Sequence, residues 1–213
     1  MSTTLYTNAI LVNEGTSRRG WLLVEEDRIA RIGQGDTPGD LTADSLIDCE
    51  GAYLIPGAID THVHFRDPGL TEKADMATES HAAVAGGVTT FIDMPNTNPP
   101  TISTRALEGK MARAAEVSEA NYGFFIGATN SNLDELLNAD YSRTAGIKLF
   151  LGSSTGNMLV DDDTTLGQLF AQAPALIAVH AEDEAVIRAS RERLKALNPD
   201  GIPVEMHPDV RPR

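Results

Sequence analysis

From Ala52 onward the chain alternates five times between a short apolar, β-prone run and a helical stretch, and this alternation restricts the fold more than any other feature. The apolar runs are AYLIPGAIDTHVH, VTTFIDMP, YGFFIGAT, GIKLFLG and ALIAVHA. Between them lie ADMATESHAAVAGG, closed by the Gly86-Gly87 pair, and an Ala/Glu/Arg/Met-rich stretch from Ser103 to Ala120 with Ser103 as N-cap. SNLDELLNAD follows, with Ser131 as cap, then a helix from Asp161 or Asp162 to Gln172, and one from about Glu182 to Leu197. Residues 198–213 carry several prolines and read as loop. Strands that alternate with helices build a parallel sheet with the helices outside it. Two architectures satisfy that pattern, an open doubly wound sheet and a closed (β/α)8 barrel. No glycine-rich dinucleotide fingerprint follows any strand, and the polar residues His62, His64, Asn96, Asn130, Lys148 and His180 fall at or near strand ends, where a barrel builds its site. The pattern predicts the TIM-type barrel.

Residues 4–50 have a different rhythm. TLYTNAILV, WLLVEED and RIARIGQG read as short strands punctuated by NEGTSRRG and Glu26-Asp27, with no helical period of useful length. The expected division is a small β-part over 1–51 and the barrel over 52–213. A barrel takes about 250 residues, whereas 213 residues supply about five of its eight strands and stop in HPDVRPR. The chain is therefore expected to be the N-terminal portion of a longer enzyme, with strands six to eight missing. Such a portion alone is expected to be inactive and poorly soluble, because open edges promote association. The formal net charge of −14 argues against nucleic acid and anionic membranes as partners. One cysteine, Cys49, gives no internal disulfide framework and fits a reducing cytoplasm. No apolar run is long enough for a membrane span, and no leader pattern opens the chain.

The chemistry gathers around PGAIDTHVHFRDPG. Residues i and i+2 of a strand share a face, so His62 and His64 project together, with Arg66 beyond them and Asp60 one step deeper. A His-x-His pair is common, but Pro56-Gly57 before it and Asp67-Pro68-Gly69 after it place this pair at a strand end. Lys148 lies within the apolar GIKLFLG. A buried lysine is costly unless it is paired or its pKa shifts; the alternative is an edge-strand lysine reaching water. His180 ends ALIAVHA and is either a hydrogen-bonded strand-end residue or a ligand. In a barrel these strand ends converge, and imidazoles suit zinc. A neutral lysine amine there can take up CO2 as a carbamate and offer two oxygens to a metal pair.

HVHFRDPG, GGVTTFIDMPNTNP, GIKLFLGSSTG and VHAEDE together resemble the cyclic-amidohydrolase branch of the amidohydrolase superfamily, and within it the dihydroorotase family. The resemblance spans about residues 4–213. It implies a (β/α)8 barrel with a small β-sandwich made from both chain ends. It implies two Zn2+ ions, with His62 and His64 on the more buried one, His180 on the other and carboxylated Lys148 bridging them. Arg66 and Asn96 would hold a substrate carboxylate; Asn96 also sits in PNTNP, which is turn chemistry in its own right. The implied reaction is reversible cyclisation of N-carbamoyl-L-aspartate to dihydroorotate in pyrimidine biosynthesis, by a homo-oligomer. The family's strand-six histidine and its catalytic aspartate are expected beyond Arg213. His207 is not assigned to either, and His81 reads as a surface or packing residue. An allantoinase or hydantoinase is the alternative within the superfamily. An inactive, dihydroorotase-like subunit that serves as a scaffold for a partner enzyme is the alternative of a different functional class, disfavoured because a scaffold needs no metal residues.

Overall fold

The computed structural model describes residues 2–152 and 158–212. The Ser153–Gly156 end of GIKLFLGSSTG lies outside the described residues. The chain divides into two compact units, Met1–Gly57 and Ala58–Arg213.

The first unit is a β-sheet. Strands β1 (Thr3–Asn13), β2 (Thr16–Glu25) and β3 (Arg28–Gln34) form antiparallel hairpins, and β4 (Ser45–Asp48) and β5 (Tyr53–Leu54) pair in parallel with β1. NEGTSRRG does not act as one long break. Only Glu14 and Gly15 turn, Asn13 pairs with Thr16, and the Thr- and Arg-bearing remainder continues as strand. Leu5, Trp21 and Leu23 form the core of one face. Gly33 is required beneath that face, since a Cβ there would lie 2.1 Å from the Trp21 ring.

The second unit holds β6 (Ala58–Val63), α1 (Met76–Ala85), β7 (Val88–Asp93), α2 (Thr104–Val117), β8 (Asn121–Gly127), α3 (Leu133–Asn138), β9 (Gly146–Phe150), α4 (Asp163–Gln172), β10 (Ile177–His180), α5 (Glu184–Leu197) and α6 (His207–Val210). Its sheet runs β10-β9-β8-β7-β6 and every pairing is parallel. Spatial order therefore follows chain order. A doubly wound sheet reverses its order at a switch point; a barrel does not, and these five strands form a partial barrel. Apolar residues of the strands pack against the helices in two clusters. Phe65, Met76, Phe91, Leu107 and Phe124 belong to one, and Ile126, Leu136, Ile147, Leu149 and Leu169 to the other.

Capping explains the helix starts. Asp75, Ser103, Asp162 and Asp183 each accept a bond from the backbone N–H three residues on. Three further sequence expectations are corrected. The run AYLIPGAIDTHVH is two strands, because Pro56 has no N–H to give a ladder; Tyr53–Leu54 pairs with Ile10–Leu11 and the rest joins the other sheet. Asn132, not Ser131, occupies the cap position of α3, and its amide is spent instead on the carbonyls of Ile102 and Gly127. Residues 198–213 are not all loop. A 3-10 turn at Val204–Met206 leads into α6, where Pro208 is tolerated because the first turn of a helix has no use for its N–H.

Candidate functional site

Strand β6 carries His62, and His64 follows directly after its end. Their ring centroids are 5.3 Å apart, with the planes inclined at 50°. The loop after β7 locks the second ring: His64 Nδ1–H donates to Asn96 Oδ1 at 2.7 Å, and the Asn96 residue is buried. That bond leaves His64 Nε2 with its lone pair, the form in which an imidazole binds a metal. Arg66 follows in the left-handed region, at φ 61°, and donates to the Asn96 carbonyl at 3.4 Å. Asn98 N–H donates to the Pro68 carbonyl at 3.0 Å, so the loops after β6 and β7 are stitched together at several points. A non-glycine residue held at positive φ is costly and persists where its surroundings dictate it.

Lys148 is the middle residue of β9, a strand buried along its whole length, and is itself 1% exposed. Among the described residues it forms no ion pair. Its Nζ lies 4.9 Å from the centre of the Phe150 ring, and burial pushes its pKa below the ordinary lysine value. On the neighbouring strand His180 pairs in register with Phe150, and its Nε2 lies 3.0 Å from Glu182 Oε2. Glu182 is also bridged by Arg211. Burial lowers the His62 pKa, the Lys148 charge lowers it further, Asp60 opposes, and His180 adds a smaller push downward. Lys148 and His180 therefore stand within electrostatic reach of His62. For His64 burial again leads, opposed by the Asn96 bond and reinforced by Arg66 and His62, while Asp93 opposes.

These shifts make a prediction. Both histidines release protons more readily folded than unfolded, so at pH values between the lowered pKa and the ordinary 6.5 the unfolded chain binds more protons. Their contribution is complete above that value and drains away as pH falls. Urea midpoints should drop between pH 7 and pH 5, and the drop should shrink when both histidines are replaced by glutamine.

The structure thus brings His64, Arg66 and Asn96 into one bonded cluster, with the His62 ring beside it. Lys148 and His180 sit on adjacent strands, and the charge of each acts on His62. Among the described residues no group of three or more His, Cys, Asp or Glu side chains is arranged to hold a metal ion. The donor chemistry nevertheless suits one: two neutral imidazoles, one of them pre-oriented, beside a lysine whose burial favours the uncharged amine. Asn130 is not part of the cluster; it bonds to Asp161. His81 is exposed and pairs with Glu119, and His207 opens α6.

Sequence reasoning missed Asp93, Lys110, Asp67 and Glu182. Lys110 carried a signal: Leu107, Lys110 and Ala114 share one face of α2, so a charge occupies a core position of the helical repeat.

The amidohydrolase family profile matches residues 53–209. A dihydroorotase from Methanosarcina acetivorans is 36% identical over 208 residues, which is 96% of this chain and 43% of the relative. An allantoinase from Solibacter usitatus is 39% identical over 168 residues, covering 76% of this chain and 36% of the relative. Among solved structures, an L-hydantoinase (dihydropyrimidinase) from Arthrobacter aurescens superposes with a TM-score of 0.90 at 28% identity, over 100% of this chain and 47% of that one. The chain spans less than half the length of these relatives. No helix among the described residues is long and apolar enough to cross a membrane.

Proposed function

The chain belongs to the amidohydrolase family, and on that premise we propose that the protein is a zinc-dependent dihydroorotase, interconverting N-carbamoyl-L-aspartate and (S)-dihydroorotate plus water. The observation that carries this reading is Arg66 held beside Asn96 and His64. A guanidinium can give two parallel bonds to a planar carboxylate, and dihydroorotate bears a carboxylate that hydantoin and allantoin rings lack. Asn96 spends Oδ1 on His64, so its amide nitrogen remains as a second donor to the same carboxylate.

In this reading His62 and His64 would hold one cation, His180 would hold a second in place of its bond to Glu182, and Lys148, as its carbamate, would serve as a further ligand. Bound cations would supply Lewis-acid activation of water and of the ring carbonyl. The chain's own contributions are orientation and desolvation. Arg66 and Asn96 fix the substrate carboxylate, and the buried surroundings of Lys148 favour the neutral amine that reacts with CO2, releasing one proton as the N–C bond forms.

A second reading, a hydantoinase or allantoinase, is favoured by the TM-score of 0.90 to an L-hydantoinase and by the 39% identical allantoinase. Steady-state assays of the full-length enzyme that carries this chain, on carbamoyl-aspartate, dihydroorotate, hydantoin and allantoin, before and after chelation and zinc readdition, separate the two. The carboxylate-bearing pair should exceed the others in kcat/KM by about 100-fold or more, since a site built for a polar group rejects ligands without it. Preference for hydantoin or allantoin would transfer the assignment to the second reading.

A further inference from the structure

An ion pair with no role in the site as described lies directly beneath it. Lys110 on α2 and Asp93 at the end of β7 are 2.7 Å apart, Nζ to Oδ2, and neither side chain has any solvent exposure. Lys110 Nζ also donates to the Met94 carbonyl at 2.8 Å and stands 5.0 Å from the centre of the Phe124 ring. The other carboxylate oxygen, Asp93 Oδ1, accepts the backbone N–H of Phe65 at 2.9 Å. Phe65 is the residue between His64 and Arg66. Met94 N–H closes the arrangement on the Val63 carbonyl at 3.0 Å.

Stability does not account for this pair. Two charges removed from water recover little more than apolar side chains of equal volume would, and such replacements are often neutral or stabilising. What apolar residues could not do is accept the Phe65 N–H. The pair has a direction: α2 supplies a fixed cation, the cation fixes one carboxylate oxygen, and the other oxygen fixes the backbone between a candidate ligand and a candidate substrate-binding residue. One turn along α2, Arg113 Nε donates to Asp67 Oδ2 at 3.3 Å. The helix thus grips the same loop at a second point, on the face that residues three apart share.

We infer that Lys110 and Asp93 are positioning residues, which set the His64–Arg66 segment in the geometry that binds the cation and the substrate carboxylate. The inference rests on the metal-centre reading above, and its test separates the two. Zinc dissociation constants are measured by chelator competition for the protein and for two double variants, alongside thermal midpoints and backbone amide exchange. Asp93→Leu with Lys110→Met removes both charges and the acceptor; it should melt within a few degrees of the parent or above it, while binding zinc about tenfold more weakly or worse and exchanging the Phe65 amide faster. Asp93→Asn with Lys110→Met removes the charges but keeps a carbonyl acceptor, and should stay within about threefold of the parent affinity.

Equal zinc affinity in the Leu/Met variant overturns the inference alone. A parent that binds no zinc overturns the metal-centre reading, and the inference with it. Should the Leu/Met variant not fold, amide exchange in the unaltered protein decides: the Phe65 amide should be protected like the neighbouring strand amides, and exchange at the rate of an open loop refutes the assignment.

Discussion

In the full-length enzyme that carries this chain, replacing Lys148 with alanine is expected to yield a folded protein that binds fewer divalent cations than its parent and turns over no ring substrate above about a thousandth of the parental rate. The rate estimate follows from Lewis-acid stabilisation worth several kcal/mol, at tenfold per 1.36 kcal/mol. The fold should survive because of where the amine sits. Lys148 is 1% exposed on a strand buried throughout, with no ion pair among the described residues, and burial already pushes its pKa down. Removing a costly buried charge offsets part of the packing lost with the methylenes. A structural lysine would behave in the opposite way, losing stability and keeping metal. Metal content by mass spectrometry, urea midpoint and turnover are measured on one preparation. Lys148→Ala with an unchanged metal count and normal turnover would sink the carbamate assignment, whichever ring the protein prefers. A second replacement, Lys148→Met, restores the volume and controls for packing. It should recover stability without recovering metal.

Much of this site was legible in one dimension because it is built on local periodicity. Strand parity alone pairs His62 with His64, and apolar runs alternating with helices imply parallel strands with their ends on one side. The cap at Ser103 and the stop at Gly86 are likewise local chemistry. Interactions across 28 to 46 residues were not legible. His64 finds Asn96, Phe65 finds Asp93, and Asp67 finds Arg113 only once β6, β7 and α2 are packed. The sequence offers Asn96 as a substrate group or a turn residue; its bond to His64, which orients that ring, appears only in the packed structure. The break at Pro56-Gly57 was visible, but its consequence was not: Tyr53–Leu54 is captured by β1, and no local rule states which sheet claims a two-residue strand. α6 escaped because the four prolines of residues 198–213 read as loop, although one lies in the first turn of a helix.

The same long-range stitching makes Gly69→Ala the most damaging small substitution expected in the site. Gly69 lies at φ +83°, where a Cβ is strained, and that Cβ would meet the Asn98 carbonyl oxygen at 1.8 Å and its carbon at 2.8 Å. The obstacle is backbone, so it cannot rotate away. Either the loop after β6 or the loop after β7 must move by more than an ångström. The bond from Asn98 N–H to the Pro68 carbonyl lies directly between them, and the Arg66 and His64 bonds to Asn96 lie next along the same seam. Backbone strain and overpacking together should cost roughly 3 kcal/mol, with loss of zinc affinity and of carboxylate recognition. Gly87 supplies the control. It has nearly the same backbone angle, φ +86°, but a Cβ there has nothing within 4 Å. Gly87→Ala should therefore cost only the conformational part, about 1 kcal/mol, and leave metal binding intact. The difference between the two urea midpoints measures the contact between the loops, free of the shared angular strain. Equal midpoints, or a Gly69→Ala protein with parental zinc affinity, would mean that the two loops are not clamped together as described and that Asn96 does not hold His64 in place.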